Sequence, residues 1–116
     1  MAYFGQILND GEIKDVDRIV TNVKSGKRLD LQASLMVVNH SPTGFSWGYL
    51  GSGPAQLSFA ILLDHFNGDV VRAKALYHDF KFKVIQWLPM DNDFVLTDET
   101  IENAISAIDV EHMKRA

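Results

Sequence analysis

The sequence predicts an α+β domain in which an N-terminal antiparallel sheet of about three strands packs against two to three C-terminal helices. Three observations predict this class. The first forty residues contain short runs with strand character, the apolar residues after Pro54 recur with the period of a helix, and the strand-like runs precede the helical ones. A chain of 116 residues without a repeat or a linker suits a single domain, residues 1–116.

Three runs in the first third of the chain predict the strands. Residues 3–8 are short and aromatic, and Asn9-Asp10-Gly11 behind them is a good turn. Residues 18–23 are rich in β-branched side chains, and the sequence KSGK predicts a second turn after them. From residue 28 to residue 35 apolar and polar side chains alternate, which predicts a third strand with one face toward water.

A central helix is predicted after the glycine-rich segment. Pro54 suits the first helical position, where its missing N–H has no partner to lose, and Gly53 is the predicted N-cap. The following residues, AQLSFAILLDHF, are apolar almost all round, which predicts a buried helix. Asn67-Gly68 supplies a glycine stop.

A second helix is predicted from Asp69, as its N-cap, to Leu88, before Pro89. A strand through FKFKVI is the alternative for its last part. The apolar residues at three- and four-residue steps, which predict its buried stripe, are Ala73, Leu76, Tyr77, Phe80, Val84, Trp87 and Leu88.

The last third of the chain combines a third helix with an acidic segment. Thr97 is the predicted N-cap, with Asp98 and Glu99 in the first turn, where the helix dipole favours anions. The predicted buried stripe consists of Ile101, Ile105 and Ile108. Residues 91–111 contain seven acidic residues and no lysine or arginine, which indicates either a solvated helix face or an acidic surface for a basic partner.

Composition and charge argue against several classes of function. Apolar residues make up 47% of the chain and charged residues 22%, as in ordinary globular domains. The formal net charge of −4 argues against general nucleic-acid binding, which needs a basic surface. Without cysteine, disulfides, zinc–thiolate sites and thiol catalysis are excluded. No signal peptide and no apolar run of membrane length is visible, so we expect a cytoplasmic protein that does not bind membranes.

Residues 44–56, GFSWGYLGSGPAQ, are the candidate functional segment because they combine four glycines with three aromatic residues. Pro54 and Ala55 stand where a P-loop needs a lysine and a hydroxyl residue. Gln56 replaces the third glycine of the dinucleotide fingerprint, and Ser52 lacks the spacing of a nucleophile elbow. No catalytic residue is therefore predicted.

Two interpretations of this segment remain open. In the first, the free N–H groups at a helix start hold an anion and the aromatic rings stack on a ligand or cover a partner. In the second, the aromatic residues pack onto the sheet and the glycines let the chain turn sharply. The four histidines lack metal-ligating spacing, so neither a metal site nor a cofactor is predicted. The candidate ligand- or partner-binding residues are Trp47, Tyr49, Ser52, Gly53, Gln56 and His40.

From His40 to Ser58 the chain reads HSPTGFSWGYLGSGPAQLS, and Leu88-Pro89 and Leu96-Thr97 follow further on. This series resembles an uncharacterised domain family found in bacteria and in phage or mobile-element proteins, whose pattern is approximately HSP-x-GF-x-WGY-x-GSGPAQLA. Ser58 stands where the family usually has alanine. The resemblance covers roughly residues 30–102. It implies a genomic setting, with a host cytoplasm as location if the protein is phage-encoded, and no mechanism.

Two functions are consistent with these observations. The first is a small non-enzymatic binding protein of phage or mobile-element type that acts by contact with another protein, as a candidate antagonist of a bacterial defence system. The second is a protein that binds or sequesters a small phosphorylated ligand, such as a nucleotide, with residues 47–56. A hydrolase that uses His40 and Ser52 is a third alternative.

Self-association is a further prediction. Four apolar residues of the second helix lie off its main stripe, so its apolar arc is wider than one core contact needs. We therefore predict a homodimer with this helix or the turn at residues 47–49 near the interface. The four off-stripe residues are Val71, Ala75, Phe82 and Ile85.

Overall fold

The computed structural model describes residues 2–8 and 18–115, which form an α+β fold, as predicted. The turn predicted at residues 9–11 lies outside the described residues. A short 3₁₀ turn, Ile85–Trp87, follows the third helix. The described strands and helices are Tyr3–Ile7 (β1), Arg18–Asn22 (β2), Lys27–Arg28 (β3), Leu31–Leu35 (α1), Ser52–His65 (α2), Val70–Lys83 (α3), Phe94–Leu96 (β4) and Asp98–Arg115 (α4).

The strands form one antiparallel sheet in the order β3-β2-β1-β4. In its centre, Tyr3 of β1 is paired with Asn22 of β2 on one side and with Leu96 of β4 on the other. The first two predicted strands are confirmed, and the predicted turn after β2 contains Gly26 with a positive φ of 71°. β4 was not predicted, because a strand of three residues has too short a sequence pattern to stand out from a loop.

The third predicted strand, residues 28–35, is wrong. Only Lys27–Arg28 pairs with β2, and the following residues form α1. Asp30 explains the difference, because its side chain accepts a hydrogen bond from the Ala33 N–H at 3.1 Å and so caps a helix. Ser34, on the solvent side of the predicted strand, is instead buried against α2. The local cap therefore outweighs the alternating pattern.

α2 is the central buried helix, as predicted. Every residue from 53 to 62 is buried, around the whole circumference of the helix. The helix begins two residues earlier than predicted, with Gly51 as N-cap, and Pro54 still lies in the first turn, where its missing N–H is tolerated. The chain leaves the helix through Asn67 and Gly68, whose φ angles are 54° and 87°.

α3 packs against α2, and its N-terminus is capped as predicted. The Asp69 side chain accepts a hydrogen bond from the Arg72 N–H at 3.1 Å. The helix ends at Lys83 instead of Leu88, and residues 80–85, the alternative strand, are not extended. The change to a 3₁₀ turn alters the angular phase of the following residues. As a result Trp87, predicted on the buried stripe, is 75% exposed. The confirmed members of that stripe are Ala73, Leu76, Tyr77, Phe80 and Val84. The prediction that Ile85 lies off the buried stripe is wrong, because its side chain is in the core.

α4 begins where the sequence predicted. The Thr97 hydroxyl accepts a hydrogen bond from the Thr100 N–H at 3.1 Å, which is the geometry of an N-cap. Its predicted stripe is confirmed, because Ile101, Ile105 and Ile108 all lie in the core. None of the helices in the described ranges is both long and apolar enough to cross a membrane.

Candidate functional site

Trp47 lies in the core and fixes the glycine-rich segment to the turn before β4. Its side chain is 0% exposed. The indole N–H donates to the carbonyl oxygens of Pro89 at 3.0 Å and Asn92 at 3.1 Å. Its ring meets the Phe94 ring edge-on, with centroids 4.8 Å apart. Trp47 therefore shapes the candidate site from beneath and offers no surface of its own.

Gln56 is also buried and holds together two segments that are distant in sequence. Its amide nitrogen donates to Ser34 Oγ at 2.9 Å and to the Val38 carbonyl at 2.8 Å. Its carbonyl oxygen accepts from the backbone N–H groups of His40 at 2.8 Å and Ser41 at 3.2 Å. All its hydrogen-bonding groups are thus used to tie α2 to the segment after α1, and Gln56 does not line the cavity at the start of α2.

Two glycines of the segment allow close packing that a side chain would prevent. Gly48 has a φ of 87°, and a Cβ at this position would lie 2.4 Å from Met90 Cα. A Cβ on Gly53 would lie 2.7 Å from Ser46 Cβ. The Gly48 N–H also donates to the Ile85 carbonyl at 3.0 Å. The contacts of Gly48 bring the glycine-rich segment directly against the 3₁₀ turn and the residues that follow it, whereas the contact of Gly53 with Ser46 lies within the segment.

Three of the candidate residues, Tyr49, Ser52 and Gly53, line a cavity of about 230 Å³ at the start of α2. Arg18 of β2 also lines it, and its Nη1 donates to the Met90 carbonyl at 2.8 Å. Its guanidinium carbon lies 4.9 Å from the centre of the Trp47 ring. Arg18 was not predicted, because nothing near it in sequence marks it as different from other strand residues. The remaining lining residues are Ser41, Thr43, Gly44, Phe45 and Ser46.

His40 lies against α3 and does not line that cavity. Its Nε2 is hydrogen-bonded to the Tyr77 hydroxyl at 2.9 Å, and its ring centroid lies 6.1 Å from that of His78. Burial raises the pKa of Tyr77. Burial also lowers the pKa of His78, and the positive charge of Lys81 and the neighbouring His40 add to this effect. A hydrolase would use His40 as its base, but the hydrogen bond to Tyr77 occupies one of its two ring nitrogens.

Four exposed apolar side chains lie where the glycine-rich segment meets the 3₁₀ turn. Trp87 is 75% exposed, and Tyr49, Leu50 and Met90 are 41–49% exposed. The contacts of Gly48 with the Ile85 carbonyl and with Met90 hold the two segments together. We call these four residues the Trp87 patch. Large aromatic and methionine side chains are the types that protein interfaces use most.

Four of the seven acidic residues in the predicted acidic segment, residues 91–111, contact a basic or histidine side chain within the described chain. The Arg72 guanidinium binds both Asp109 oxygens, at 2.7 and 2.6 Å. This pair raises the pKa of Arg72 and lowers that of Asp109. The other three pairs are Lys24 with Asp98 at 2.9 Å, His65 with Glu102 at 2.6 Å and Lys83 with Glu111 at 2.6 Å. These acidic groups therefore tie α4 to the rest of the fold, which leaves fewer of them for a basic partner.

A larger open groove of about 530 Å³ lies between the β2–β3 turn, α1 and the end of α2. Asp64 lines it, and one of its oxygens accepts from the Tyr3 hydroxyl at 2.6 Å and from Asn22 Nδ2 at 2.7 Å. Burial and this hydrogen bond raise the pKa of Tyr3. Within residues 2–8 and 18–115 no three His, Asp or Glu side chains come together as a metal site would require.

The comparisons with known proteins give a family without a described activity. A model described as "Family of unknown function (DUF6166)" matches residues 9–107, so the chain belongs to this family. The match includes the glycine-rich segment, the 3₁₀ turn and most of α4. Among curated proteins and among solved structures, no match was found. Family membership confirms the predicted resemblance to an uncharacterised domain family and assigns no substrate.

Proposed function

We propose that this member of DUF6166 is a non-enzymatic binding protein that acts by contact with another protein through the Trp87 patch. The observation that carries the proposal is the 75% exposure of Trp87 in the 3₁₀ turn, whose Ile85 carbonyl accepts from Gly48, the neighbour of the exposed Tyr49. Removing apolar surface from water is favourable by roughly 25 cal/mol per Å², so a tryptophan ring that stays exposed does not contribute this free energy. Partner binding would recover that free energy.

The backbone beneath the patch is already fixed in the free protein. Trp47 donates two hydrogen bonds to the Pro89–Asn92 turn from below, and Gly48 bonds the neighbouring 3₁₀ turn. A partner would therefore meet a preformed surface and would not have to order a loop, which lowers the entropic cost of association. In this proposal the glycine-rich segment serves function indirectly, because it positions Tyr49 and Leu50 beside Trp87.

The predicted phage or mobile-element setting makes a component of a bacterial defence system the class of partner to test first. The test is affinity capture from a bacterial lysate with three forms of the protein: the wild type, Trp87→Ala and Met113→Ala. Met113 of α4 is the matched control, because it is an apolar side chain with the same 75% exposure.

We expect one protein to be captured saturably by the wild type and by Met113→Ala, and to be lost with Trp87→Ala. Both variants should unfold at the same denaturant concentration as the wild type, because neither side chain is buried. A captured protein that Trp87→Ala retains at full strength would contradict the proposal, and so would the absence of any saturable partner.

A small phosphorylated ligand is the second candidate, and the cavity beside Arg18 favours it. Arg18 and several residues with hydroxyl groups line a space of about 230 Å³. Arginine binds phosphate well in general because it offers charge and several N–H donors. Of the residues predicted for such a site, Tyr49, Ser52 and Gly53 line the cavity, whereas Gln56 and Trp47 do not.

A thermal-shift screen of nucleotides tests this second candidate. A ligand at 100 times its dissociation constant adds about 2.7 kcal/mol of stability. We expect a binding nucleotide to stabilise the wild type and the control Arg115→Gln, whose arginine is the last residue of α4, but not Arg18→Gln. No stabilisation by any nucleotide, or equal stabilisation of both variants, would rule this candidate out.

A further inference from the structure

The outward side of α3 carries three exposed apolar side chains and one histidine in a row. Val71 is 81% exposed, Phe82 is 49% exposed, and Ala75 and His78 between them are exposed as well. The steps of four, three and four residues place these side chains on one line along the helix. We call Val71, Ala75, His78 and Phe82 the α3 stripe.

On one flank of the α3 stripe the charged side chains are cationic. Lys74 and Lys81 lie on one flank by helical spacing, and among the described residues no acidic group forms an ion pair with either of them. The Lys81 ammonium lies 5.1 Å from the centre of the Phe82 ring. This flank therefore offers positive charge directly beside exposed apolar area.

The acidic residues of α3 are used on the opposite flank. Asp79 accepts a hydrogen bond from His112 of α4 at 2.7 Å, and Asp69 caps the helix. The cations on that flank, Arg72 and Lys83, are paired with Asp109 and Glu111. The two sides of α3 thus differ in kind: one is neutralised against α4, and the other keeps its positive charge toward solvent.

We propose that the α3 stripe binds an acidic segment of another protein that carries apolar side chains. Carboxylates beside Lys74 and Lys81 would complement their charge, and apolar groups would cover Val71 and Phe82. A second copy packed with its α3 antiparallel to this one fits the surface poorly, because that two-fold contact places the lysines of both copies on the same side. The α3 stripe and the Trp87 patch share no residue.

A display library of random peptides, selected in parallel on immobilised full-length variants, tests the proposal. The variants are the wild type, the charge reversal Lys74→Glu/Lys81→Glu, and Phe82→Ser. The matched control is Lys27→Glu/Lys114→Glu. It changes the net charge by the same amount as the charge reversal, but at positions on β3 and α4. All substituted side chains are at least partly exposed, so we expect each variant to be as stable as the wild type. Urea unfolding of each variant checks this before the selection.

We expect the wild type to enrich peptides that combine aspartate or glutamate with apolar residues. Enrichment should fall at least about tenfold on the charge reversal and on Phe82→Ser, and it should persist on the control and on Trp87→Ala. Retained enrichment on Trp87→Ala separates this surface from the one proposed above, so the two proposals can fail independently.

Three results would overturn the inference. The first is no enrichment, or enrichment of peptides without acidic residues. The second is equal enrichment on the wild type and the charge reversal. The third is a dimer mass of the wild type in light scattering that returns to the monomer in Phe82→Ser, because a second copy would then occupy the stripe. The homodimer remains a prediction until this mass is measured.

Discussion

The two tryptophans of the chain lie in opposite environments. Trp47 belongs to the glycine-rich segment, and Trp87 belongs to the 3₁₀ turn that this segment contacts. Trp47 is fully buried and donates two hydrogen bonds to the turn that follows Pro89. Trp87 stands two residues before that proline and is 75% exposed. The same residue type is thus used once to close the core and once at the surface. Only the buried one has a structural role that explains it.

The difference shows how the glycine-rich segment divides its tasks. Trp47, Gly48 and Gln56 are occupied by contacts within the protein, so their identities are explained by the fold. Tyr49, Leu50 and Trp87 have exposed area that the fold does not use. Residues of the first kind are expected to affect stability when they are replaced, and residues of the second kind are expected to affect binding.

The largest expected effect is the difference in the free energy of unfolding between variants of the two tryptophans. Trp47→Ala should lower the free energy of unfolding by about 3–5 kcal/mol, because it removes a fully buried aromatic ring and leaves two carbonyls without their donor. Trp87→Ala should change it by less than about 0.5 kcal/mol. Urea unfolding followed by circular dichroism measures both values. Similar losses in the two variants would contradict the assignment of one tryptophan to the core and one to the surface.

The next largest effect is expected from alanine at Gly48, where the glycine-rich segment approaches Met90 closely. Gly48 and Gly26 both have positive φ angles, 87° and 71°, so alanine strains the backbone at both positions. Only at Gly48 would the new Cβ collide with Met90, since nothing lies within 4 Å of Gly26. Gly48→Ala should therefore destabilise the protein by about 1–3 kcal/mol more than Gly26→Ala. Equal destabilisation of the two variants in urea unfolding would show that the segments are not in contact.

Local signals in the sequence were sufficient for the parts of the fold that depend on neighbouring residues. The caps at Asp69 and Thr97 and the glycine stop after α2 were all predicted correctly. The strand at residues 28–35 was wrong because the cap at Asp30 acts against an alternating pattern. Trp87 was placed in the core because the helical period was extended past Lys83, where the backbone changes to a 3₁₀ turn.

The candidate site was harder to predict because its contacts join residues far apart in sequence. The amide of Gln56 bonds groups between Ser34 and Ser41, and Arg18 reaches the same region from β2. Such partners follow from tertiary packing and leave no spacing that a single sequence would show. The segment itself was recognisable from its glycines and aromatic residues, but the roles of its individual side chains were not.

A smaller effect is expected in the pH dependence of stability, through the imidazole of His78 on the exposed side of α3. Burial, Lys81 and His40 lower the pKa of His78 from its ordinary value of 6.5, while Asp79 acts in the opposite direction and Tyr77 packs against the ring. The folded protein therefore binds fewer protons at this site than the unfolded chain. The contribution of His78 to stability is complete above pH 6.5 and is lost as the pH falls toward the lower folded-state pKa.

This prediction is checked by comparing the wild type with His78→Gln. The free energy of unfolding is measured in urea at a pH above 6.5 and again at a pH well below it. The wild type should lose more stability between the two values than the variant, since glutamine does not titrate. An equal loss in both proteins would show that the imidazole is solvated like that of an unfolded chain.

The central claim is that Trp87 contributes to partner binding and Trp47 to folding. It is tested most directly by calorimetric titration of the partner captured by the wild type into the wild type, Trp87→Ala and Met113→Ala. We expect Trp87→Ala to weaken binding by about 2 kcal/mol or more, roughly thirtyfold, at unchanged stability. Met113→Ala should bind like the wild type. Equal affinity of Trp87→Ala and Met113→Ala for the partner would contradict the claim.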